Sequence, residues 1–297
     1  MSASQRVYKA RIASTKSLQQ MFKAMELIAA SRIGRARDRA EAARPYVEAL
    51  TRAVSAVATH SDAEHPIVQA RTETNRAALL LLTSDRGMAG AYSANVIREA
   101  ERLAERLEQD GKQVARYVVG QRGTSYFQFR EIPVVRSWVG NTDAPEATTA
   151  KEISEELLRA FTAPVEDGGV DELHIVDTRF INMVTQEPRV VRMLPLEIVE
   201  GVAEPGADPL PLYSFEPSPE EVLDAVLPRY VESRIWNALL QAAASELAAR
   251  QRAMHTATEN AEDLIRDYTR LANAARQSEI TQEISEIVSG ADALAAS

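Results

Sequence analysis

The sequence predicts an α/β protein with long terminal helices: an antiparallel coiled coil of the N- and C-terminal helices, with a central open α/β (Rossmann-like) domain between them. Three observations predict it. The stretch from Arg229 to Ser289 contains no glycine and no proline. A second glycine- and proline-poor, helix-forming stretch runs from Ser4 to about His60, interrupted only by Gly34 and Pro45. Ten of the twelve glycines lie between Gly87 and Gly206, so the turn-rich region is confined to the middle.

The C-terminal run is alanine-rich and carries apolar residues at heptad spacing: Leu240, Ala243, Leu247, then Met254, Ala257, Ala261, Leu264, Tyr268, Leu271 and Ala275. Arg250 and Ser278 interrupt the seam. At about 1.5 Å per residue the run makes one helix roughly 90 Å long, longer than a compact domain of this size is wide. Such a helix needs a long partner, and the N-terminal run supplies one. Its residue types favour helix, its apolar positions after Pro45 again fall at heptad spacing (Val47, Leu50, Val54, Val57), and Pro45 marks a possible kink. Two such helices at opposite ends of a chain pair antiparallel, with residues 1–70 and 213–297 forming the helices and 71–212 the domain between them.

The middle alternates strand and helix. Apolar runs at Asn75–Thr83 and Gln113–Val119 suit strands buried on both faces, with further strands expected at Ile132–Trp138, Glu172–Asp177 and Arg189–Leu194. Helices are expected at Ser93–Gln109 and Thr149–Phe161, and the alternation describes an open α/β sheet. Prolines at 205, 209, 211, 217 and 219 mark a linker, and Ser218 before Pro219, Glu220 and Glu221 is a helix start.

Composition excludes several functions. The chain has no cysteine, so disulfides, thiolate metal sites and cysteine nucleophiles are absent. Its four histidines are far apart in sequence, which speaks against zinc. No apolar stretch approaches the length of a membrane span, and the polar, basic start lacks the apolar segment of a signal peptide; a soluble protein on the cytoplasmic side is expected. Net charge is −9, but residues 1–45 hold ten Lys or Arg against three acids. A basic arm on an acidic protein points to an acidic partner surface, and without interleaved aromatics nucleic acid is not expected.

The turn Ser84-Asp85-Arg86-Gly87-Met88-Ala89-Gly90 invites a nucleotide-binding reading, yet it lacks the glycine spacing and the Lys-Ser/Thr pair of phosphate cradles. A local Asp85–Arg86 ion pair fixing the turn is the expectation. No nucleophile elbow and no metalloprotease motif occurs, so no catalytic, cofactor or metal site is assigned. Three functions stay open on these grounds: a mechanical subunit of a larger machine, a nucleotide-binding enzyme with dimerising arms, and a homodimeric coiled-coil adaptor.

Specific residues narrow the choice. Lys23-Ala24-Met25-Glu26-Leu27-Ile28-Ala29-Ala30-Ser31-Arg32 resembles the N-terminal signature of the gamma subunits of bacterial F-type ATP synthases, and Thr83-Ser84-Asp85-Arg86-Gly87 with Gly90 resembles their central turn. Arg229-Tyr230-Val231-Glu232-Ser233, Ala257-Thr258-Glu259-Asn260-Ala261, Ala275-Arg276-Gln277 and Ile280 to Ala291 are similar to the C-terminal half of the same family. Departures occur at Ala274, where Lys or Arg is usual, at Gln251, and at Met88-Ala89.

The resemblance implies a non-catalytic central shaft, one copy per complex, with the alpha, beta and epsilon subunits and the c ring as partners. It implies a peripheral position on the cytoplasmic side of the bacterial membrane and no cofactor of its own. It also implies roles for residues. Arg276, Gln277, Thr281 and Glu283 near the shaft tip, with Lys23 and Met25, would contact beta. The basic cluster Arg32, Arg35, Arg37 and Arg39 would face acidic loops of the stator or polar loops of the c ring. Tyr213, Phe215 and Glu216 would meet the c ring and epsilon.

Overall fold

The computed structural model describes residues 3–60, 75–196 and 216–295. The proline-rich stretch expected as a linker falls largely outside them, as do Tyr213 and Phe215. The elements in order are α1 (Ala3–His60), β1 (Arg76–Leu82), α2 (Tyr92–Gln109), β2 (Gln113–Val119), α3 (Gln121–Phe129), β3 (Arg136–Trp138), α4 (Ala147–Thr162), β4 (Glu172–Phe180), β5 (Gln186–Leu194) and α5 (Pro219–Ala295). By internal contacts the chain forms two units, one of residues 1–29 with 251–297 and one of residues 30–250.

In the larger unit the five strands order as β3-β2-β1-β4-β5. The first four are parallel and β5 returns antiparallel to β4. The apolar run of β1 explains its central place. Alternate residues of a strand point to opposite faces, and here both faces are covered. Ala77, Leu79 and Leu81 pack with Val96, Ile97, Ala100, Leu103 and Leu107 of α2 and Phe127 of α3. Ala78, Leu80 and Leu82 join the other core, built from Ile153, Leu157 and Phe161 of α4, Val54 and Val57 of α1, and Leu223, Tyr230, Ile235 and Leu239 of α5. One face of the sheet is thus roofed by the terminal helices themselves. The start of α5 is fixed as its sequence indicates: the Glu221 N–H donates to Ser218 Oγ at 3.2 Å.

Three expectations are adjusted. Helix α3 is a further element, its short apolar content hidden in a polar sequence. Only Arg136–Trp138 of the expected third strand pairs, while β4 and β5 extend past their apolar cores to close a hairpin. Pro45 and Pro228 lie inside helices that continue through them.

In the smaller unit α1 and α5 run antiparallel. Arg11 stacks on Tyr268 at 5.6 Å, Gln19 donates to Glu262 at 2.9 Å, and Glu26 meets His255 at 2.9 Å, the partner number falling as the other rises. Along α1, Gln5, Tyr8, Ile12, Thr15, Gln19, Phe22, Glu26 and Ala29 are less exposed and spaced three and four apart, with Met25 half-buried beside them. The facing seam of α5 is Met254, Thr258, Ala261, Ile265, Tyr268, Ala272 and Ala275. This corrects the expected phase. Ala257 stays half-buried, but Leu264 and Leu271 are 46% and 38% exposed, and Ile265 and Ala272 take their places. The expected and observed seams share Met254, Ala261, Tyr268 and Ala275 and differ by one residue at the positions between them. The intrachain seam takes Thr258, Ile265 and Ala272 in place of Ala257, Leu264 and Leu271, which leaves the two leucines on the outside.

Backbone demands are strictest where the sheet turns into helix. Gly120 follows β2 at φ 97° and ψ 139°, and a Cβ there would lie 2.4 Å from the Thr83 carbonyl oxygen. Gly120→Ala is expected to cost about 2–5 kcal/mol through strain and overlap, read as a lower urea midpoint. An unchanged midpoint would contradict this close approach.

At the other end of β4, Glu172 accepts from His174 Nε2 at 2.8 Å and from Lys112 Nζ at 2.5 Å. The hydrogen bond from His174, with Lys112 adding to it against the cost of burial, holds its carboxyl down at about 2 against an ordinary 4.5. A carboxyl depressed in the fold stabilises above its unfolded value, and that contribution is lost as pH falls toward 2. Glu172→Gln is therefore expected to cost about 1–2 kcal/mol at pH 7 and progressively less below pH 4.5, as thermal melts at pH 7 and pH 3.5 would register. A pH-independent difference would exclude the ionised carboxylate as the cause.

Candidate functional site: interaction surfaces and the α5 junction

The central turn after β1 is built as a junction. Asp85 makes no ion pair with Arg86, contrary to the sequence expectation. Its carboxylate accepts the backbone N–H groups of Gln121 at 3.1 Å, Gly140 at 3.0 Å and Thr142 at 3.0 Å. These donors lie just past the ends of β2 and β3, where open α/β sheets bind anionic ligands. Here a side chain of the protein occupies them, so the turn holds loops together where a nucleotide-binding fold would hold a phosphate.

The junction continues into α5. The Asp85 N–H donates to Thr142 Oγ1 at 3.0 Å, and Thr142 Oγ1 donates to Glu246 at 2.9 Å. Glu246 pairs with Arg250 at 2.7 Å, and the Arg250 guanidinium reaches the Arg86 carbonyl at 3.3 Å. Both charged side chains are nearly inaccessible, 2% and 7% exposed. Burial pushes the Glu246 carboxyl up, while Arg250 and the Thr142 hydroxyl pull it back. Beside this network Tyr92 Oη donates to the Ala242 carbonyl and Ser245 Oγ to that of Thr178. Burial holds the Tyr92 phenol well above its ordinary range, so it stays a donor at neutral pH. Ala89 and Tyr92 pack on Ala249. A helix with alanine at 242, 243, 244, 248 and 249 allows this close approach.

Arg250 stood out in the sequence as a charge on an apolar seam, and its partner four residues earlier is one helical turn away. Thr142, from a distant loop, carried no signal.

The expected contact residues divide between the units. In the smaller one Lys23 is exposed and Met25 half-buried. Arg276, Gln277, Thr281 and Glu283 are all exposed on consecutive turns of α5, with the Thr281 hydroxyl donating to the Gln277 carbonyl at 3.0 Å. Large apolar side chains are exposed beside them in sequence: Leu18, Met21, Leu27 and Ile28 on α1, and Leu264, Leu271, Ile280, Ile284, Ile287 and Val288 on α5. Several of them lie within the stretches that resemble the family's signatures, but it is the phase of the seam that shows them to be exposed.

The basic cluster belongs to the larger unit and is not one patch. Arg32, Arg35 and Arg39 line, with Arg86 and Asp143, a groove of about 540 Å³. Arg32 pairs with Asp143 at 2.6 Å, and Arg39 donates to the Pro145 carbonyl at 2.8 Å and stacks on Trp236 at 5.5 Å. Arg37 lies in a separate groove, 5.7 Å from the centre of the Phe180 ring. Glu216 is exposed at the approach to α5. Among the described residues no cluster of histidine and carboxylate side chains suits a metal ion, and no helix is long and apolar enough to cross a membrane.

A family model described as ATP synthase matches residues 4–294. The ATP synthase gamma chain of Beutenbergia cavernae is 68% identical over 297 residues, covering the whole of both chains. A chain of the Euglena gracilis mitochondrial ATP synthase, from a structure of its OSCP, F1 and c ring, superposes with a TM-score of 0.68 at 18% identity, over 98% of this chain and 94% of that one. A chain from the central stalk and c ring of the Tetrahymena thermophila enzyme gives a TM-score of 0.58 at 22% identity, over 80% of this chain and 99% of that one. These two likenesses speak for the fold, and the full-length identity speaks for the family. The chain belongs to the ATP synthase gamma chain family.

Proposed function

We propose that the chain is the central rotor subunit of an F-type ATP synthase, transmitting torque between the membrane c ring and the catalytic beta subunits. It couples proton flow to ATP synthesis or hydrolysis without catalysing either. One copy serves each complex, held on the cytoplasmic side of the bacterial membrane through the alpha, beta and epsilon subunits and the c ring. In this reading residues 1–70 and 213–297 form the shaft helices and 71–212 the α/β domain.

The observation that carries the reading is the smaller unit's surface. A two-helix arm that leaves Leu27, Ile28, Leu264, Ile284 and Ile287 exposed is not a finished surface. It is suited to a sleeve of other subunits. Arg276 and Gln277 offer several directed donors on one exposed turn, fitted to loops of beta, and Lys23 and Met25 serve the same sleeve. Arg32, Arg35 and Arg39 would meet acidic loops of the stator, with Arg37 on a separate face. Tyr213, Phe215 and Glu216 are assigned to the c ring and epsilon. Each exposed charge pair is individually weak, about 0–1 kcal/mol, which suits contacts broken and remade every turn.

Purification of the tagged chain from its native membranes tests the assignment. One copy with three alpha and three beta subunits, hydrolysing ATP, is the expected eluate. A symmetric homodimer or a lone monomer without ATPase activity would overturn it in favour of an adaptor.

A further inference from the structure

A further basic groove adjoins that of Arg37, with which it shares Arg44, Phe180 and Gln241, but its own arginines 179, 189 and 234 belong to none of the surfaces assigned above. It lies in the larger unit among α1, α5 and the β4–β5 hairpin, with a volume of about 490 Å³, and its lining includes Arg44, Arg179, Arg189, Arg234, Glu48 and Gln241. Volumes of this order suit small-molecule ligands. Two of the four guanidiniums are neutralised. Arg44 pairs with Glu48 at 2.6 Å, and Arg189 forks onto the fully buried Asp177 at 2.6 and 2.8 Å across the β4–β5 ladder. That fork holds Arg189 in place.

Arg179 and Arg234 make no hydrogen bond or ion pair among the described residues, with Glu187 standing opposite Arg179 in the β4–β5 register without pairing to it. The Gln241 amide oxygen is committed to the Phe180 N–H at 3.3 Å, which orients the amide and leaves its NH2 donors uncommitted. The groove therefore presents two guanidiniums with no carboxylate bound to them and an amide donor within a concavity large enough for a ligand. Its one lining carboxylate, Glu48, is already bound to Arg44.

We propose that this groove is an anion site that takes a phosphate-bearing ligand, with Arg179 and Arg234 as the groups that engage it. Guanidinium forks match phosphate oxygens two at a time, and Gln241 adds a neutral donor. The ligand class is a phosphate or diphosphate group carrying at least two negative charges, supplied either by a soluble compound or by a lipid headgroup. The inference stands on this groove alone and does not depend on the rotor reading.

Calorimetric titration of pyrophosphate into the purified full-length chain, with parallel sedimentation on phosphatidylglycerol vesicles, tests it. One saturable site per chain is expected for at least one of the two probes. Arg179→Ala or Arg234→Ala should weaken that binding about tenfold or more, and the double variant should abolish it. Arg179→Lys and Arg234→Lys keep the charge and spare the fold, and they too should weaken binding because the fork is lost. Arg98→Ala, an exposed arginine of α2, should leave it unchanged. Response to pyrophosphate alone identifies a soluble source, and response to vesicles alone identifies a headgroup. Binding of neither probe, or binding that survives the double variant, overturns the proposal. Saturable binding of polyglutamate alone would overturn it as well, in favour of an acidic polypeptide.

Discussion

Replacing Glu246 by alanine is expected to destabilise the chain by about 3–5 kcal/mol, because it leaves the Arg250 guanidinium buried without its countercharge. The loss also orphans the Thr142 hydroxyl, and through it loosens the loop that carries an N–H to Asp85. Urea unfolding of the isolated chain would show a lower midpoint. The double variant Glu246→Met with Arg250→Met should recover most of the difference, since two apolar side chains of similar volume suit the surrounding alanines and remove both charges together. An unaltered midpoint for Glu246→Ala would mean that the pair is solvated and the junction is not what fastens α5 to the sheet.

The second large effect concerns function without folding. Deleting residues 277–297 removes Gln277, Thr281 and Glu283 together with the exposed Ile280, Ile284, Ile287 and Val288. These side chains are exposed within the chain, so stability should change by no more than about 1 kcal/mol. In the assembled complex the same deletion should lower ATP synthesis about tenfold, the effect of losing directed contacts worth about 1–3 kcal/mol. Gln277→Ala is the single-residue counterpart and should reproduce part of that loss. Normal synthesis by the truncated complex would exclude a tip contact with beta.

Much of the fold was legible in the residues. Long glycine- and proline-poor runs announced α1 and α5, and the apolar block Ala77–Leu82 announced a strand covered on both faces. The phase of the coiled coil was less accessible. Choosing the larger side chains, Leu264 and Leu271, selected the outward face, because an isolated sequence does not say which of two apolar stripes faces its own chain. Helix α3 was missed because its fixation comes from elsewhere: the Gly123 N–H donates to Thr83 Oγ1, and Phe127 fills the core under α2.

The site was legible more through family resemblance than through chemistry. Arg276, Gln277 and Lys23 carry no local signal beyond polarity. By contrast the Asp85 turn drew attention as a possible phosphate cradle, and its actual task, collecting three backbone N–H groups from two later loops, depended on contacts up to fifty-seven residues away.

The most direct test of the rotor claim uses the absence of cysteine in the sequence. Phe129, 88% exposed on α3, can be changed to cysteine, labelled with a probe as the one thiol of the isolated chain, and then assembled into a complex fixed through its beta subunits. On adding ATP the probe is predicted to rotate in one direction, in steps that keep pace with hydrolysis. A stationary probe on a complex hydrolysing ATP at full rate would contradict the account.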